Sequence, residues 1–428
     1  KNKAGYRIED VKIEDMSVEI IKNVNQDGKT YMDLKVKAEK YYDSYKIAEI
    51  SYETLEGEKA KQEVEARVKL QFYKEITRYE DWQGIDGNSA QNYRLLTDID
   101  FSGKVNPNYN VSIGRLEAPE EGHTIKNLSI ETTQSEGLIK ELKTSMKNIN
   151  FENITIKNTT SGNYEGIIIN NTAEIENISF KDITIDAPNM SYVSCIPNSV
   201  SNRIKNIRLE RVKCYGNNYV AGFVSYMSET DCSNITGKEI EIEGKGIFIG
   251  GIFGRVDCPD YNVTQLTKNI LIEDSNITGK SSYVGGAIGY GRINNITSNR
   301  NTIKGNSYVG GISGNAYVYN FYGYANVDSC KIYGEGSYIG GITGEVNTYY
   351  FGKVINSHIE GVAASSENVG GFCGSMQGSI NNIEIINTKV ISKGNIVGGV
   401  VGSTKSGNTY DIKKLYTKNC YIEGNNNV

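Results

Sequence analysis

The sequence predicts an all-β chain: a right-handed parallel β-helix of about ten coils of 25–35 residues, preceded by a small antiparallel β-domain. Three observations carry that prediction. The first is a recurring motif, YVGGAIG at 283–289, with close copies at 248–254 (FIGGIFG), 308–314 (YVGGISG), 338–344 (YIGGITG), 368–374 (NVGGFCG) and 396–402 (IVGGVVG). Weaker versions begin at Ser135, Tyr164, Tyr192 and Tyr219, which puts the third motif position at 137, 166, 194, 221, 250, 285, 310, 340, 370 and 398. A period near 28 residues without a long helical pattern is the mark of a stacked coil. The second is composition. Apolar residues make up 38% of the chain, with 46 glycines, 30 tyrosines and 5 prolines, and low apolar content suits a coil one rung thick. The third is alternation of apolar and polar residues within short runs, which points one face of each strand inward. One-way parallel coiling is right-handed by strand twist and crossover handedness.

Residues 1–75 form the first expected domain. They hold 31 of the 97 charged residues but 3 of the 46 glycines. Runs at 11–21, 30–38, 45–54 and 61–72 read as strands, with turns at Asp27-Gly28 and Glu56-Gly57. Val64, Ala66, Val68, Leu70 and Phe72 share one parity and charged or polar residues take the other, as in a half-buried antiparallel strand of a sandwich-like domain. Residues 76–91 are a linker and short capping helix. Thr77 and Glu80 have the spacing of a capping box, and Trp82, the lone tryptophan, is placed as a plug over the first coil.

The β-helix spans 92–428. NYRLLTDIDF at 92–101 reads as its first strand pair, 104–124 as an irregular loop with Pro107, Pro119 and Gly122, and the regular coils start at His123. Each coil is expected to carry about three short strands: an Asn-Ile/Leu-x-Ile strand, a second apolar strand that usually closes on glycine, and the YVGG strand. Asn127, Asn148, Asn177, Asn206, Asn234, Asn269 and Asn295 are expected at bends, where their amides bond along the stack and tolerate unusual φ/ψ. The glycine pair implies a tight bend or a close approach with no room for Cβ. It is not a phosphate loop, because the lysine and the following helix are missing. The seven cysteines form no C-x-x-C pair and read as small buried hydrophobes.

Two coils bulge. Residues 256–267 lengthen one repeat to 35, and 316–325 (AYVYNFYGYA) gather Tyr317, Tyr319, Phe321, Tyr322 and Tyr324, with Tyr349 and Tyr350 at a similar place one coil later. Insertions in solenoids map to loops on one face, and tyrosine gives large contact area at low entropy cost, so these residues are a possible partner-contact surface. The bland alternative is a tyrosine stack covering the coil wall.

The chemistry-bearing residues are sparse. His123 and His358 are the two histidines, and no H-E-x-x-H or zinc-ligand spacing occurs. Asp98 and Asp100 share a parity but read as solvent-facing, and Asp257, Asp260 and Asn262 support a calcium ion by composition alone. The acids needed for glycoside chemistry are scattered. No catalytic, cofactor or metal residue is assigned. A net charge of −5 gives no reason to expect nucleic acid or membrane as a partner. Both ends read as cuts in a longer protein.

The stretch Tyr73-Lys74-Glu75-Ile76, Trp82, NYRLLTDIDF at 92–101, HTIKNL at 123–128 and the GG repeats together resemble the N-terminal, non-catalytic region of the M26 zinc metallopeptidases. These are the immunoglobulin A1 proteases and related Zmp surface proteases of Gram-positive bacteria. The repeat alone is also similar to the GLUG motif of bacterial surface proteins. The resemblance implies a secreted or cell-wall-attached parent that cleaves host glycoproteins such as immunoglobulin A. Its zinc and its H-E-x-x-H would lie in a C-terminal catalytic domain. This stretch, without a cofactor of its own, would be scaffold and substrate-recognition or gating module, partnered by the substrate and by that domain. The alternatives are a stand-alone surface adhesin or structural β-helix and, further off, a polysaccharide-active β-helix enzyme.

Overall fold

The computed structural model describes the whole chain except residues 1–5, 14–15, 27–28, 38–41, 55–56, 71–72, 88–89, 201–202, 229–230, 258–266, 293, 317–322, 348–349, 406–410 and 426–428. Two compact units result, Lys1–Lys74 and Glu75–Val428.

The first unit is antiparallel. Strands β1 (Tyr6–Ile13), β4 (Tyr42–Thr54) and β5 (Lys59–Leu70) form a three-stranded sheet in the order β1-β4-β5, and β2 (Ser17–Gln26) pairs with β3 (Lys29–Lys37). The strand expected at 11–21 is two strands, because the Met16 N–H bonds back to the Ile13 carbonyl at 3.1 Å and interrupts the run. The side chains at 64–70, on which the parity reading rests, lie outside the described residues.

The second unit is an all-β, right-handed parallel solenoid of about ten turns. Each later coil has four segments rather than three, for example Val284–Gly285, Ile288–Gly291, Ile296–Asn299 and Thr302–Gly305. The glycine pair bends the YVGG strand and splits it. In the early coils the last two segments are continuous, as in Glu174–Asp186 and Arg203–Gly216. A further strand, Val111–Glu117, lies inside the stretch expected to be irregular and pairs in parallel with residues 139–147 of the next coil. Its buried Val111, Ile113 and Leu116 are the periodic signal that the flanking Pro107 and Pro119 obscured.

Coils stack position on position. One inward column runs Ile156, Ile185, Cys214, Ile242, Ile277, Ile303, Ile332, Ile359, Val390, Ile422. All but the last are buried, and each buried side chain of this size contributes about 1.5–3 kcal/mol. Cys214 takes an aliphatic place here. Cys195, Cys232, Cys330 and Cys373 are likewise free and buried, while Cys420 is half-buried.

Three columns of left-handed residues make the corners. Asn148, Asn177, Asn206, Asn234, Asn269 and Asn295 have φ of 49–58°, and from Asn177 onward each amide donates to the amide oxygen one coil earlier, at 2.9, 2.8, 3.0 and 3.1 Å for the first four steps and again between Asn295 and Asn269, while the Asn148 amide donates to the Ala118 carbonyl at 3.1 Å. Asn127 does not belong to that ladder. It stands opposite Asn153 in a second column with Asp182, Arg211, Asp274, Arg300, Asn356, Asn387 and Asn419, all with φ of 50–62°. The third column is aromatic: Tyr219, Phe248, Tyr283, Tyr308 and Tyr338, with φ of 48–66°. Bulky residues adopt this conformation only when their surroundings over-determine it.

The adjacent glycines are needed for space. A Cβ on Gly285 would lie 2.0 Å from the Ile288 carbonyl, and one on Gly286 2.1 Å from the Gly311 carbonyl in the next coil. The first is a clash within the bend and the second a clash between bends. The pair also marks an added residue. Val193 and Ile196 pair with Val220 and Val224, so the bend lengthens by one residue at that coil.

At the start of the solenoid, helix α1 (Tyr79–Gln83) buries Trp82 edge-on to Phe101 at 6.2 Å. The Trp82 indole N–H donates to the Asn108 carbonyl at 2.9 Å, and the Asn108 amide donates to the Ile85 carbonyl at 2.9 Å. The expected capping box of Thr77 and Glu80 is not formed. Arg78 is the N-cap, and Thr77 donates its N–H and hydroxyl to Asp81, both at 2.8 Å. The Asp81 carboxylate, one turn on, takes both donors.

Candidate functional site

The strands that close each coil present one outward face along the stack. Its columns follow from register: Thr155, Thr184, Lys213, Glu241, Asn276, Thr302, Lys331, His358 and Lys389 in one, and Lys157, Asp186, Tyr215, Glu243, Thr278, Lys304, Tyr333 and Glu360 in the other. Three cavities lie on this face. One of about 560 Å³ is lined by Gln134, Glu136 and Lys157 near the first regular coils. One of about 540 Å³ is lined by Asp182, Arg211, Lys213, Glu241 and Asp274. One of about 510 Å³ lies over Lys304, Lys331 and Tyr333.

The middle cavity is neutralised from within. Arg211 clamps Asp182 through Nε at 2.5 Å and Nη2 at 3.0 Å, and also pairs with Glu210. Arg300 clamps Asp274 at 2.6 and 2.8 Å and reaches Glu273 at 3.0 Å. Lys213 pairs with Glu241 at 2.9 Å, and the Tyr215 hydroxyl donates to the same carboxylate at 2.7 Å. These contacts hold the Asp182, Asp274 and Glu241 carboxyls below the usual range and show that they act as ionised acceptors.

Behind the first cavity, Glu165 is fully buried. The Asn158 amide donates to its Oε2 at 2.6 Å, and Oε1 has no partner. Burial pushes its carboxyl up to about 8. The carboxyl it faces, Glu136, accepts from Thr132 at 2.7 Å.

The expected contact tyrosines are only partly placed. Tyr317, Tyr319, Phe321, Tyr322 and Tyr349 lie outside the described residues, and so does the side chain of Tyr350, whose backbone pairs with Gly323 and Ile380. Tyr324 is half-buried opposite Phe351 of the next coil. Asp98 and Asp100 do more than face water. Asp98 accepts from the Thr124 N–H at 2.9 Å, and Asp100 accepts from the Asn127 amide and the Ser102 N–H, each at 2.8 Å, which pulls it down to about 2. His123 lies 3.3 Å from Asp98, and His358 lies 2.8 Å from Glu360. Asp257, offered for calcium, is held instead by Arg255 at 2.7 Å and Tyr226 at 3.1 Å. Among the described residues, no three His, Cys, Asp or Glu side chains gather as metal ligands, and no helix is long and apolar enough to cross a membrane.

A different aromatic feature stands at the third corner. Tyr164, Tyr192, Tyr219, Phe248, Tyr283, Tyr308 and Tyr338 stack ring on ring, with centroids 4.4–5.1 Å apart. Arg255 lies 5.2 Å from both the Phe248 and Tyr290 rings. The signal was present in the sequence as the aromatic that opens the motif in the copies from Tyr164 to Tyr338. Because neighbouring rings cover one another's faces, the ladder presents ring edges outward and has no free face for a flat ligand along its run.

No protein-family model matches the chain, and no curated protein matches its sequence. Among solved structures it is similar to a candidate immunoglobulin A1 protease from Bacteroides ovatus, with 13% identity, 83% of this chain and 84% of that chain covered, and a TM-score of 0.23. At that TM-score the likeness carries no argument, and the solenoid assignment rests on the strand pairing described above.

Proposed function

We propose that the chain is a non-catalytic recognition module of a larger secreted or cell-wall-attached bacterial protein. In the finer form of this reading, it is the scaffold and substrate-holding part of a zinc metalloprotease that acts on host glycoproteins such as immunoglobulin A. The observation that carries the recognition reading is the set of clamped carboxylates on the outward face. Asp182, Glu241 and Asp274 are each clamped by a cation, so the face offers donors and acceptors for holding a ligand rather than a free acid–base pair for cutting one. The metalloprotease parentage rests on the 92–101 motif and its neighbours.

The test is to incubate the 428-residue chain with immunoglobulin A1 and with a mucin-type glycoprotein, with added zinc or with chelator. Binding without cleavage is expected. Zinc-dependent cleavage would overturn the non-catalytic reading, and failure to bind either glycoprotein would overturn recognition. A full-length product without an H-E-x-x-H domain would remove the protease parentage and leave an adhesin.

A further inference from the structure

The outward face changes character along its length. Two upstream lysines are neutralised by acids of neighbouring coils, Lys213 by Glu241 at 2.9 Å and Lys280 by Glu243 at 3.4 Å. Downstream, the same two columns place Thr302 and His358 on either side of Lys331, and Thr278 and Tyr333 on either side of Lys304. Neither lysine has an ion-pair partner among the described residues, and His358 is engaged with Glu360 at 2.8 Å. Adjacent coils lie ~4.8 Å apart, so the two ammonium groups sit on neighbouring rungs. The cavity of about 510 Å³ is lined by both lysines together with Thr302, Tyr333, Glu335 and Val362.

The geometry points to a binding site for a saccharide that carries a carboxylate. This rests on the recognition reading above and names its ligand class. Two unpaired lysines supply the countercharge for one anionic group. The Tyr333 ring and Val362 supply an apolar wall for the carbon face of a sugar ring, and Thr302 and Glu335 supply an acceptor and donor set for hydroxyls. The volume suits one or two sugar rings. Glu335 on the lining and a net charge of −5 disfavour a polyanion, for which repeated cations without an interposed acid would be expected.

Isothermal titration of the intact chain with sialyllactose, lactose, glucuronate and a polyglutamate peptide tests the site. Sialyllactose or glucuronate is expected to bind at least tenfold tighter than lactose and to weaken as salt rises. The Lys304→Ala/Lys331→Ala variant should lose that preference, Tyr333→Ala should weaken both acidic sugars, and Lys353→Ala, a lysine paired with Glu384 at 3.0 Å outside the cavity lining, should leave them unchanged. Circular dichroism melting confirms that each variant folds. Equal affinity for lactose, no effect of the double substitution, or polyglutamate binding as tightly as the sugars would each overturn the proposal. If the chain captures immunoglobulin A1 or mucin but neither acidic sugar, recognition stands and this site falls. If it captures none of them, both fall.

Discussion

Glu165 is the residue whose chemistry departs furthest from its place in the fold. Its position in the coil belongs to Val193, Val220, Ile249 and Val284 in the coils that follow. Asn158 likewise stands in the column of Ala187, Gly216 and Gly244. Glycine is required at 216 because a Cβ there would lie 2.7 Å from Val220. At Asn158 the neighbour is a carboxyl instead, and the two polar side chains bond to each other in the core. A carboxyl raised from 4.5 to about 8 in the folded state binds its proton more tightly there than in the unfolded chain. Folding stability is therefore greatest below pH 4.5 with respect to this group. It falls as pH rises to about 8 and is flat above, a loss on the order of a few kcal/mol. Thermal denaturation across pH 5–8 should show that slope in the native chain and a reduced slope in Glu165→Gln. An unchanged slope would assign the effect to other groups. Glycines offer a second contrast at this scale. Gly286→Ala drives a Cβ against the Gly311 carbonyl, whereas Gly87 has nothing within 4 Å. The first substitution should cost several kcal/mol and the second under about 0.5 kcal/mol, measured as urea unfolding midpoints.

At the scale of the element, the asparagine ladder combines backbone conformation with a side-chain bond. The two contributions separate at Asn206, which has φ +58°, donates to Asn177 at 2.8 Å and accepts from Asn234 at 3.0 Å. Asn206→Gly keeps the left-handed corner and loses the bonds, while Asn206→Ala loses both. The alanine variant should be less stable than the glycine variant by about 1 kcal/mol, again by urea unfolding, and equal losses would mean that the corner conformation is cheap here. The ladder was legible in the sequence because Asn recurs at one place in coil after coil. Its partition into two columns was not, since Asn127 and Asn148 look alike in the chain and differ only in which residue of the next coil they meet. The aromatic corner was missed for a related reason. Asparagine was expected at the bends and the glycine pair at a tight bend or close approach, yet Tyr283, Tyr308 and Tyr338 hold this left-handed corner, and the glycines answer to backbone contact.

For the whole molecule, strand pairing runs from each coil to its immediate neighbours, and that is why the fold was readable. Inward columns must repeat aliphatic residues, and a repeat is visible without a structure. Outward columns carry no such constraint. The sequence of Thr302, Lys331, His358 and Lys389 has no period to find, and the pairing of Lys213 with a residue 28 positions away appears only when the coils are stacked. The candidate face was therefore illegible where the fold was plain. The tyrosine-rich bulges drew attention because they break the period, which marks an insertion and does not by itself mark a site.

The register that equates Ile339 with Val369 and Gly340 with Gly370 makes length an adjustable quantity. Removing residues 340–369 joins Ile339 to Gly370 and restores the string YIGGFCG, with every remaining strand opposite a strand of its own kind. The shortened chain should fold as a solenoid one rung, ~4.8 Å, shorter, as small-angle scattering would register, while removing about half a period, residues 340–354, should yield an unfolded product. A chain built this way can change its reach in whole steps without redesigning a core, like a ruler whose divisions are set by the peptide backbone and whose total is set by how many coils the gene carries.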